Sequence, residues 1–193
     1  MNTDKKILNE AIILFRKNGY HATSMNMVSE ACGISKGNLT YHYPTKEELF
    51  KECIHASATY FKKYVLFSSF ENQPSELDGL INFFKNVKTW LTYEGKIIGC
   101  TFSNAAIELR HSNSDLAEIP INYLREFKTT LKEKIESGQN NKNIVSKESA
   151  DVMVEDLFLG YEGAVVYSRI ENSLKCFDLY INRTYKYFKI KSP

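Results

Sequence analysis

The sequence predicts an all-α protein of about nine helices, in which a small N-terminal three-helix domain precedes a larger helical domain. Apolar residues recur at helical spacing along most of the 193 residues, and no sustained alternation of apolar and polar residues indicates a sheet. Proline, which interrupts helices, occurs only four times. An apolar fraction of 43% and a charged fraction of 25% are typical of a folded globular chain rather than a disordered one.

The first three predicted helices are short and closely spaced. Residues 4–18 place their apolar side chains on one helix face, and Gly19 can end that helix. A second helix is predicted over residues 25–31 and a third over residues 36–43. The turn between them contains Gly33, which can adopt the left-handed conformation that ends a helix.

A longer fourth helix is predicted to begin after Pro44. Thr45 and Glu48 form a capping box, in which the hydroxyl and the carboxylate each accept a hydrogen bond from an otherwise unpaired backbone N–H. The helix is expected to reach about Val65, and the polar residues 68–78 interrupt the pattern. Further helices are predicted over residues 75–93, 100–109, 119–137, 147–169 and 173–190.

We predict two domains, residues 1–46 and residues 47–193. The first carries six Lys or Arg residues against three Asp or Glu, so its formal charge of +3 exceeds the +2 of the whole chain. A basic head on a near-neutral body is typical of a protein with a polyanionic partner. Surface helices often carry such charges without any partner, so the charge alone does not establish a polyanionic partner.

Composition also bears on the compartment. The four cysteines are widely scattered without a C-x-x-C pair, which excludes a zinc knuckle and argues against a disulfide scaffold. No run approaches the roughly 18 apolar residues that span a bilayer. The N-terminal residues enter an amphipathic helix pattern rather than a signal peptide. We therefore expect a cytoplasmic protein with no membrane partner.

The sequence has no recognisable catalytic or cofactor motif. It contains no G-x-S-x-G, no H-E-x-x-H and no glycine-rich phosphate loop. His42 has no histidine or carboxylate one helical turn later to complete a metal site. We expect no catalytic residue, no metal and no cofactor, and a chain that is not an enzyme.

Residues 19–46 carry the functional prediction. Two short helices joined by a tight, glycine-containing turn form a helix-turn-helix when their inner positions are apolar or small. Val28 and Leu39 supply apolar contacts, and Ser29 is small enough for the helices to cross closely. Such an arrangement leaves an outer face that can enter the major groove of DNA. The residues left for that face are Ser35, Lys36, Asn38, Thr40, Tyr41 and His42.

Several segments at fixed spacing make this stretch specific. They are Leu14-Phe15, Gly19-Tyr20, Ala22-Thr23-Ser24, Ala31-Cys32-Gly33-Ile34-Ser35-Lys36-Gly37, Leu39, Tyr41-His42-Tyr43 and Lys46-Glu47. Over residues 11–49 the sequence resembles the DNA-binding domain of TetR-family regulators. A short helical hairpin is most often plain packing, and the tail from Tyr41 to Lys46 is what favours DNA binding. The resemblance implies an all-helical homodimer that binds double-stranded operator DNA and carries a ligand-binding C-terminal domain.

The resemblance also implies DNA contacts, position by position. Thr23 and Ser24 open the second helix towards phosphate, and Lys46 is expected to clamp a phosphate from the start of the fourth helix. The full expected set is Thr23, Ser24, Ser35, Lys36, Gly37, Asn38, Thr40, Tyr41, His42 and Lys46. Many members have an aromatic residue where this chain has Thr40, which leaves the base preference open. Cys32 replaces a commoner Gly or Leu, a change expected to affect packing only.

The C-terminal domain is less specific. Gly99-Cys100, Asn104, Ala106 and Glu108-Leu109 resemble a helix that lies near the ligand pocket in a subset of the same family. Family mechanism implies that ligand moves this helix and thereby the fourth helix. Aromatic content of 13% favours a small, apolar or aromatic effector. The expected effector contacts are Tyr64, Phe84, Trp90, Tyr93, Cys100, Phe102, Asn104, Glu108, Tyr123 and Phe127.

Two alternatives stay open for these residues. The aromatic side chains can equally be ordinary core residues. Cys100 can be a redox or electrophile sensor, although a buried inert thiol fits the sequence better, because nothing indicates a lowered pKa.

The last two predicted helices carry apolar residues around much of their circumference, more than one buried face requires. Gly160, Gly163 and Ala164 permit close helix approach. We expect a four-helix interface with a second copy, the alternative being burial within one subunit. The expected interface residues are Phe158, Tyr161, Val165, Phe177, Tyr180 and Ile181.

The sequence thus predicts a ligand-responsive repressor that binds a palindromic operator as a homodimer and is released by a small molecule. The alternative is a DNA-binding activator or architectural protein, which would share the N-terminal domain but need no cavity. A small helical enzyme fits least well.

Overall fold

The computed structural model describes residues 3–189, so the predicted helix end at residue 190 lies outside the described range. Within that range the chain folds into nine α-helices, which confirms the all-α prediction. They are α1 (Thr3–Ala22), α2 (Met25–Cys32), α3 (Lys36–His42), α4 (Lys46–Phe61), α5 (Glu76–Trp90), α6 (Thr101–Leu109), α7 (Ser114–Asn140), α8 (Ala150–Ile170) and α9 (Lys175–Lys189). After α4 the chain continues as one π-helical segment, Lys62–Leu66, and one 3₁₀ turn, Phe67–Ser69.

The predicted helix ends have the expected chemistry. Gly19 breaks α1 with a φ of 84°, although the residues up to Ala22 are helical again. Gly33 ends α2 in the left-handed conformation, with a φ of 62°. The capping box is formed as predicted, because the Thr45 N–H donates to Glu48 Oε2 at 3.2 Å and the Glu48 N–H donates to Thr45 Oγ1 at 3.1 Å.

Two local predictions were wrong. Residues 92–93 are not helical, because Thr92–Tyr93 pairs antiparallel with Lys96–Ile97 across a two-residue turn with positive φ at Glu94 and Gly95. Helix α7 begins at Ser114, five residues before the predicted start. The side chain of Asn113 caps it by accepting a hydrogen bond from the Leu116 N–H at 3.0 Å.

The chain divides into two compact units. One contains the chain up to Tyr60 together with Thr101–Leu124, and the other contains Phe61–Cys100 and the chain from Arg125 onward. The predicted domain boundary at residue 46 was placed at the end of a sequence motif, whereas these units are defined by contacts, so the boundary stays a prediction.

The core of the first unit forms where α1, α2 and α3 meet. Ile7, Val28 and Leu39 are fully buried there. The Phe50 ring contacts Phe15 edge-on, with ring centroids 5.1 Å apart, and Tyr20 at 5.0 Å. This apolar contact packs α4 against α1.

In the second unit an aromatic cluster surrounds Phe61, whose ring centroid lies 4.7 Å from that of Phe127 and 5.6 Å from that of Trp90. A polar contact ties the start of α5 to the end of α7. The Glu76 carboxylate accepts hydrogen bonds from Ser137 and Asn141, each at 2.7 Å, and from Asn143. These bonds stabilise the charged form and lower the pKa of Glu76 to about 2.

Across residues 3–189, none of the helices is both long and apolar enough to cross a bilayer. The side chains described in that range also contain no cluster of His, Cys, Asp or Glu suited to a metal ion.

Candidate DNA-binding site

Helix α3 turns one side inward and the other outward. Leu39 points into the core and is 0% exposed. Gly37 and Tyr41 lie two residues to either side of Leu39, and two steps of about 100° bring their positions to the opposite face. Tyr41 is accordingly 85% exposed. Asn38 and Thr40 are also exposed and flank this outer face.

The start of α3 is fixed by its preceding turn. The Ile34 N–H donates to Ser29 O at 3.0 Å, and the Ser35 hydroxyl accepts from the Asn38 N–H at 3.1 Å. Ser29 is itself buried, as its predicted place at the helix crossing requires. The N-terminal turn of α3 is therefore rigidly presented, with Ser35 and Lys36 exposed at its tip.

Gly37 has no role in packing the protein. A Cβ built on Gly37 would meet only Ser35 Oγ, 4.0 Å away. Glycine in a helix costs about 1 kcal/mol relative to alanine, and nothing inside the described chain requires that cost. The bare backbone instead leaves room at the centre of the outer face for a partner to approach closely.

The C-terminal half of α3 carries two side chains that already have partners. The Thr40 hydroxyl donates to Lys36 O at 2.8 Å, which leaves its methyl group and an oxygen lone pair for contacts outside the protein. His42 lies beside α1, with its Nδ1 2.6 Å from Asp4 Oδ1. The structure thus places His42 at the rim of the outer face rather than at its centre.

Residues 19–23, which comprise the end of α1 after its break at Gly19 and the start of the link to α2, form a hydrogen-bonded junction, called the α1–α2 junction below. The Thr23 side chain is 1% exposed, and its hydroxyl donates to Gly19 O at 2.7 Å. Lys46 Nζ donates to Tyr20 O at 3.0 Å and to Thr23 O at 3.1 Å, and lies 4.2 Å from the Tyr20 ring centroid. Glu108 Oε2 accepts from the Tyr20 N–H at 2.9 Å, and Oε1 accepts from the His21 N–H at 2.7 Å.

This geometry gives three predicted site residues internal partners. Thr23 and Lys46, expected at DNA, bind backbone carbonyls of the junction. Glu108, expected at the effector, binds backbone amides of the junction. Ser24, by contrast, is exposed at the start of α2, where its hydroxyl accepts from the Met27 N–H at 3.2 Å. The backbone amides around Ser24 suit a phosphate.

The expected effector contacts are divided between the two units. Phe102 and Tyr123 lie in the first unit, with ring centroids 6.1 Å apart, and Asn104 and Glu108 belong to it too. The remaining members belong to the second unit, and they are Tyr64, Phe84, Trp90, Tyr93, Cys100 and Phe127.

Several of these side chains are buried and pack against other residues of the same chain. Phe84 is buried against Tyr180, with ring centroids 5.2 Å apart, whereas Tyr64 is half exposed. Cys100 is buried beside Tyr161, whose pKa is raised well above its ordinary value, first by burial. The effector site therefore stays a prediction.

The expected dimer residues are largely internal. Tyr161, Val165, Phe177 and Ile181 are buried within the single chain. The first two lie on α8 and the last two on α9. These two helices pack against each other, with the Tyr161 and Phe177 ring centroids 6.1 Å apart, and α9 also packs against α5. Phe158 and Tyr180 are partly exposed. The exposed apolar residues of α8 are others, namely Val152, Leu159, Val166, Tyr167 and Ile170.

Sequence reasoning missed the junction contacts of Lys46 and Glu108. Gly19 predicted the end of a helix. Glu108, whose carboxylate lies beside Gly19 and binds the Tyr20 N–H, is 88 positions from Tyr20 in the sequence. No local pattern encodes such a pairing.

Comparison with known proteins identifies the family. The model for bacterial regulatory proteins of the tetR family matches residues 7–53. The model for a tetracyclin repressor-like C-terminal domain matches residues 77–183, more than half of the chain.

Individual relatives agree with these matches. The biofilm operon negative transcriptional regulator IcaR of Staphylococcus epidermidis is 35% identical over 78 residues, which are 40% of this chain and 41% of that protein. The transcriptional regulator QacR of Staphylococcus aureus is 49% identical over 55 residues, 28% of this chain and 29% of that protein. The chain thus matches less than half the length of either relative.

A solved structure shows the same fold along almost all of the chain. A TetR transcriptional regulator from Chloroflexus aurantiacus superposes with a TM-score of 0.87 at 22% identity, covering 98% of this chain and 95% of that one. Both family models describe bacterial regulators, as the sequence predicted. The chain belongs to the TetR family of bacterial regulatory proteins.

Proposed function

We propose that this protein is a cytoplasmic transcriptional repressor that binds a palindromic operator as a homodimer and leaves it when a small apolar or aromatic effector binds. The observation that carries the proposal is the outward face of α3, where Tyr41 is 85% exposed next to a glycine that no packing requires. A helix so presented fits the major groove, which admits one α-helix.

The DNA contacts divide by chemistry. Gly37, Asn38, Thr40 and Tyr41 form the face for base edges, because they surround the side of α3 opposite Leu39. Ser24, Ser35 and Lys36 serve the phosphates, since they sit at the exposed starts of α2 and α3. Thr23 and Lys46 act on DNA only through the junction that they hold.

The exposed apolar stripe on α8 supports the homodimer. Leu159, Gly163, Val166 and Ile170 follow one another at helical spacing, and Leu159 is 70% exposed. A Cβ on Gly163 would meet no atom within 4 Å in the single chain. An exposed apolar stripe with a glycine at its centre suits close contact with the same helix of a second copy. Two copies would present two recognition helices to half-sites roughly 34–36 Å apart.

An operator selection tests the DNA-binding proposal. The full chain is expected to enrich a palindromic sequence from a random pool, and Tyr41→Ala is expected to lose that enrichment. Tyr60→Ala is the matched control, since Tyr60 is also an exposed tyrosine, at 52%, but lies on α4. Failure of the unmodified chain to enrich any sequence would refute the proposal.

Sedimentation tests the dimer. Leu159→Glu is expected to convert the dimer to a monomer, because it places a charge at the most exposed leucine of the α8 stripe. Ile107→Glu is the control, since Ile107 is 73% exposed on α6, outside that stripe. A monomeric unmodified chain, or a dimer that survives Leu159→Glu, contradicts the assignment.

Effector release is tested by a thermal-shift screen. An effector at about 100 times its Kd is expected to add about 2.7 kcal/mol to the stability of the protein. The same compound is then expected to displace the operator in a binding titration. Stabilising compounds that leave operator affinity unchanged would count against release by that effector.

A further inference from the structure

We infer that Glu108 is a positioning residue for DNA binding, through which α6 holds the DNA-binding helices directly. The inference rests on the proposed function. Its basis is the pair of hydrogen bonds that the Glu108 carboxylate accepts from Tyr20 and His21, at 2.9 Å and 2.7 Å. Both donors are backbone amides of the α1–α2 junction.

The junction needs an acceptor at this point. Helix α1 is broken at Gly19, where φ is 84° and ψ is 177°. Backbone amides that follow such a break have no regular helical acceptor and must find another partner. An ionised carboxylate is the strongest acceptor available, since hydrogen bonds to a charged group are shorter and stronger than neutral ones.

The junction is also shaped around the carboxylate. A Cβ on Gly19 would lie 2.5 Å from Glu108 Oε2. Glycine is favoured at this position by its positive φ, and a Cβ there would displace the Glu108 carboxylate from the place where it accepts the two hydrogen bonds.

Lys46 holds the same segment from α4. Its ammonium donates to the carbonyls of Tyr20 and Thr23, while Glu108 accepts from the amides of Tyr20 and His21. The junction is thus fixed between a cation on α4 and an anion on α6. Ser24, the cap of α2, follows immediately, so the direction of α2 depends on how the junction is held.

A second contact strengthens the link to α6. His21 Nε2 lies 2.9 Å from the hydroxyl of Ser112, three residues after the end of α6. A shift of α6 along its axis would therefore act on three hydrogen bonds to the junction, at Tyr20 N, His21 N and His21 Nε2. This route to the DNA-binding helices is separate from the one through α4.

Hydrogen exchange and operator binding test the inference together. In Glu108→Ala the Tyr20 and His21 amides are expected to exchange at least about tenfold faster, because each loses a charge-assisted hydrogen bond. Operator affinity is expected to fall by about tenfold as the junction loosens. Glu108→Gln keeps an acceptor oxygen, so its amide exchange and operator affinity are expected to lie between those of the unmodified chain and those of Glu108→Ala. If Glu108→Ala does not fold, Glu108→Gln serves as the test variant.

Glu118→Ala is the matched control. Glu118 is a carboxylate of the same unit that pairs with Arg110 at 2.8 Å, and its removal is expected to leave operator affinity within about twofold. Unchanged amide exchange in both Glu108 variants would overturn the contact. Faster amide exchange with unchanged operator affinity would overturn the positioning role, since it would show that the contact stabilises the junction without affecting DNA binding. The proposed function fails separately, when the unmodified chain selects no operator.

Discussion

Replacing Gly37 with alanine separates what α3 needs for folding from what it needs for binding. The added Cβ would meet only Ser35 Oγ at 4.0 Å, so it causes no clash within the protein. Alanine is favoured over glycine in a helix by about 1 kcal/mol. We therefore expect Gly37→Ala to raise the free energy of unfolding by up to about 1 kcal/mol.

The same methyl group is expected to weaken operator binding. It stands at the centre of the outer face of α3, opposite Leu39, and in the proposed complex it would push the α3 backbone away from the base edges. A good contact to a base is worth about 1–3 kcal/mol. Loss of one such contact lowers affinity by about tenfold, since 1.4 kcal/mol corresponds to a factor of ten. Urea unfolding and a fluorescence-anisotropy titration at fixed salt measure the two effects.

Gly33→Ala supplies the contrast. Its Cβ would also meet nothing within 4 Å, but Gly33 has a φ of 62°, which strains any other residue. That variant is expected to lose about 1 kcal/mol of stability. If Gly37→Ala destabilised the protein, or bound the operator as tightly as the unmodified chain, the assignment of Gly37 to the DNA face would be refuted.

Three further predictions follow from single contacts. Lys36→Ala should reduce the slope of log affinity against log salt concentration by about 0.9, whereas Lys46→Ala should lower affinity without changing that slope, because its ammonium binds carbonyls. Thr40→Val should keep a preference for thymine over uracil, which lacks the C5 methyl group, because valine retains the methyl group of Thr40, whereas Thr40→Ser should lose that preference; titrations against operators that contain thymine or uracil measure it. Glu76→Gln should destabilise the protein at neutral pH. It should also flatten the pH dependence between about 4.5 and 2, because a carboxylate with a lowered pKa contributes stability that disappears as pH falls through that window, and acid unfolding curves measure it.

Helix periodicity and cap chemistry were sufficient to predict most elements. Gly33, Ser35 and the pair Thr45 and Glu48 each act within a few residues of their own position, so local sequence determines what they do. The start of α7 was missed because Pro120 lies inside the helix rather than at its first turn. The short hairpin after α5 was missed because two-residue strands are too short to show an alternating pattern.

The surfaces of α8 and α9 show a different limit. Both helices are apolar on more than one side, so periodicity cannot tell which side packs within the chain and which faces outward. The structure shows that Val165 and Phe177 face inward, whereas Leu159 and Ile170 face outward. Tertiary contacts decide between these faces, namely the pairing of α8 with α9 and the packing of α9 against α5.

Charged residues near a functional surface are the hardest to assign from sequence, and the α1–α2 junction shows why. Lys46 and Glu108 have the residue types expected at a phosphate and at a polar effector group, yet both bind the backbone of one short segment. A broken helix end exposes amides and carbonyls together, and one anion and one cation satisfy both kinds of group. Loss of either charge would then weaken DNA binding without removing a DNA contact. Affinity alone therefore cannot identify a contact residue in this protein, whereas the salt slope can, because only a side chain that neutralises a phosphate changes the number of released counterions.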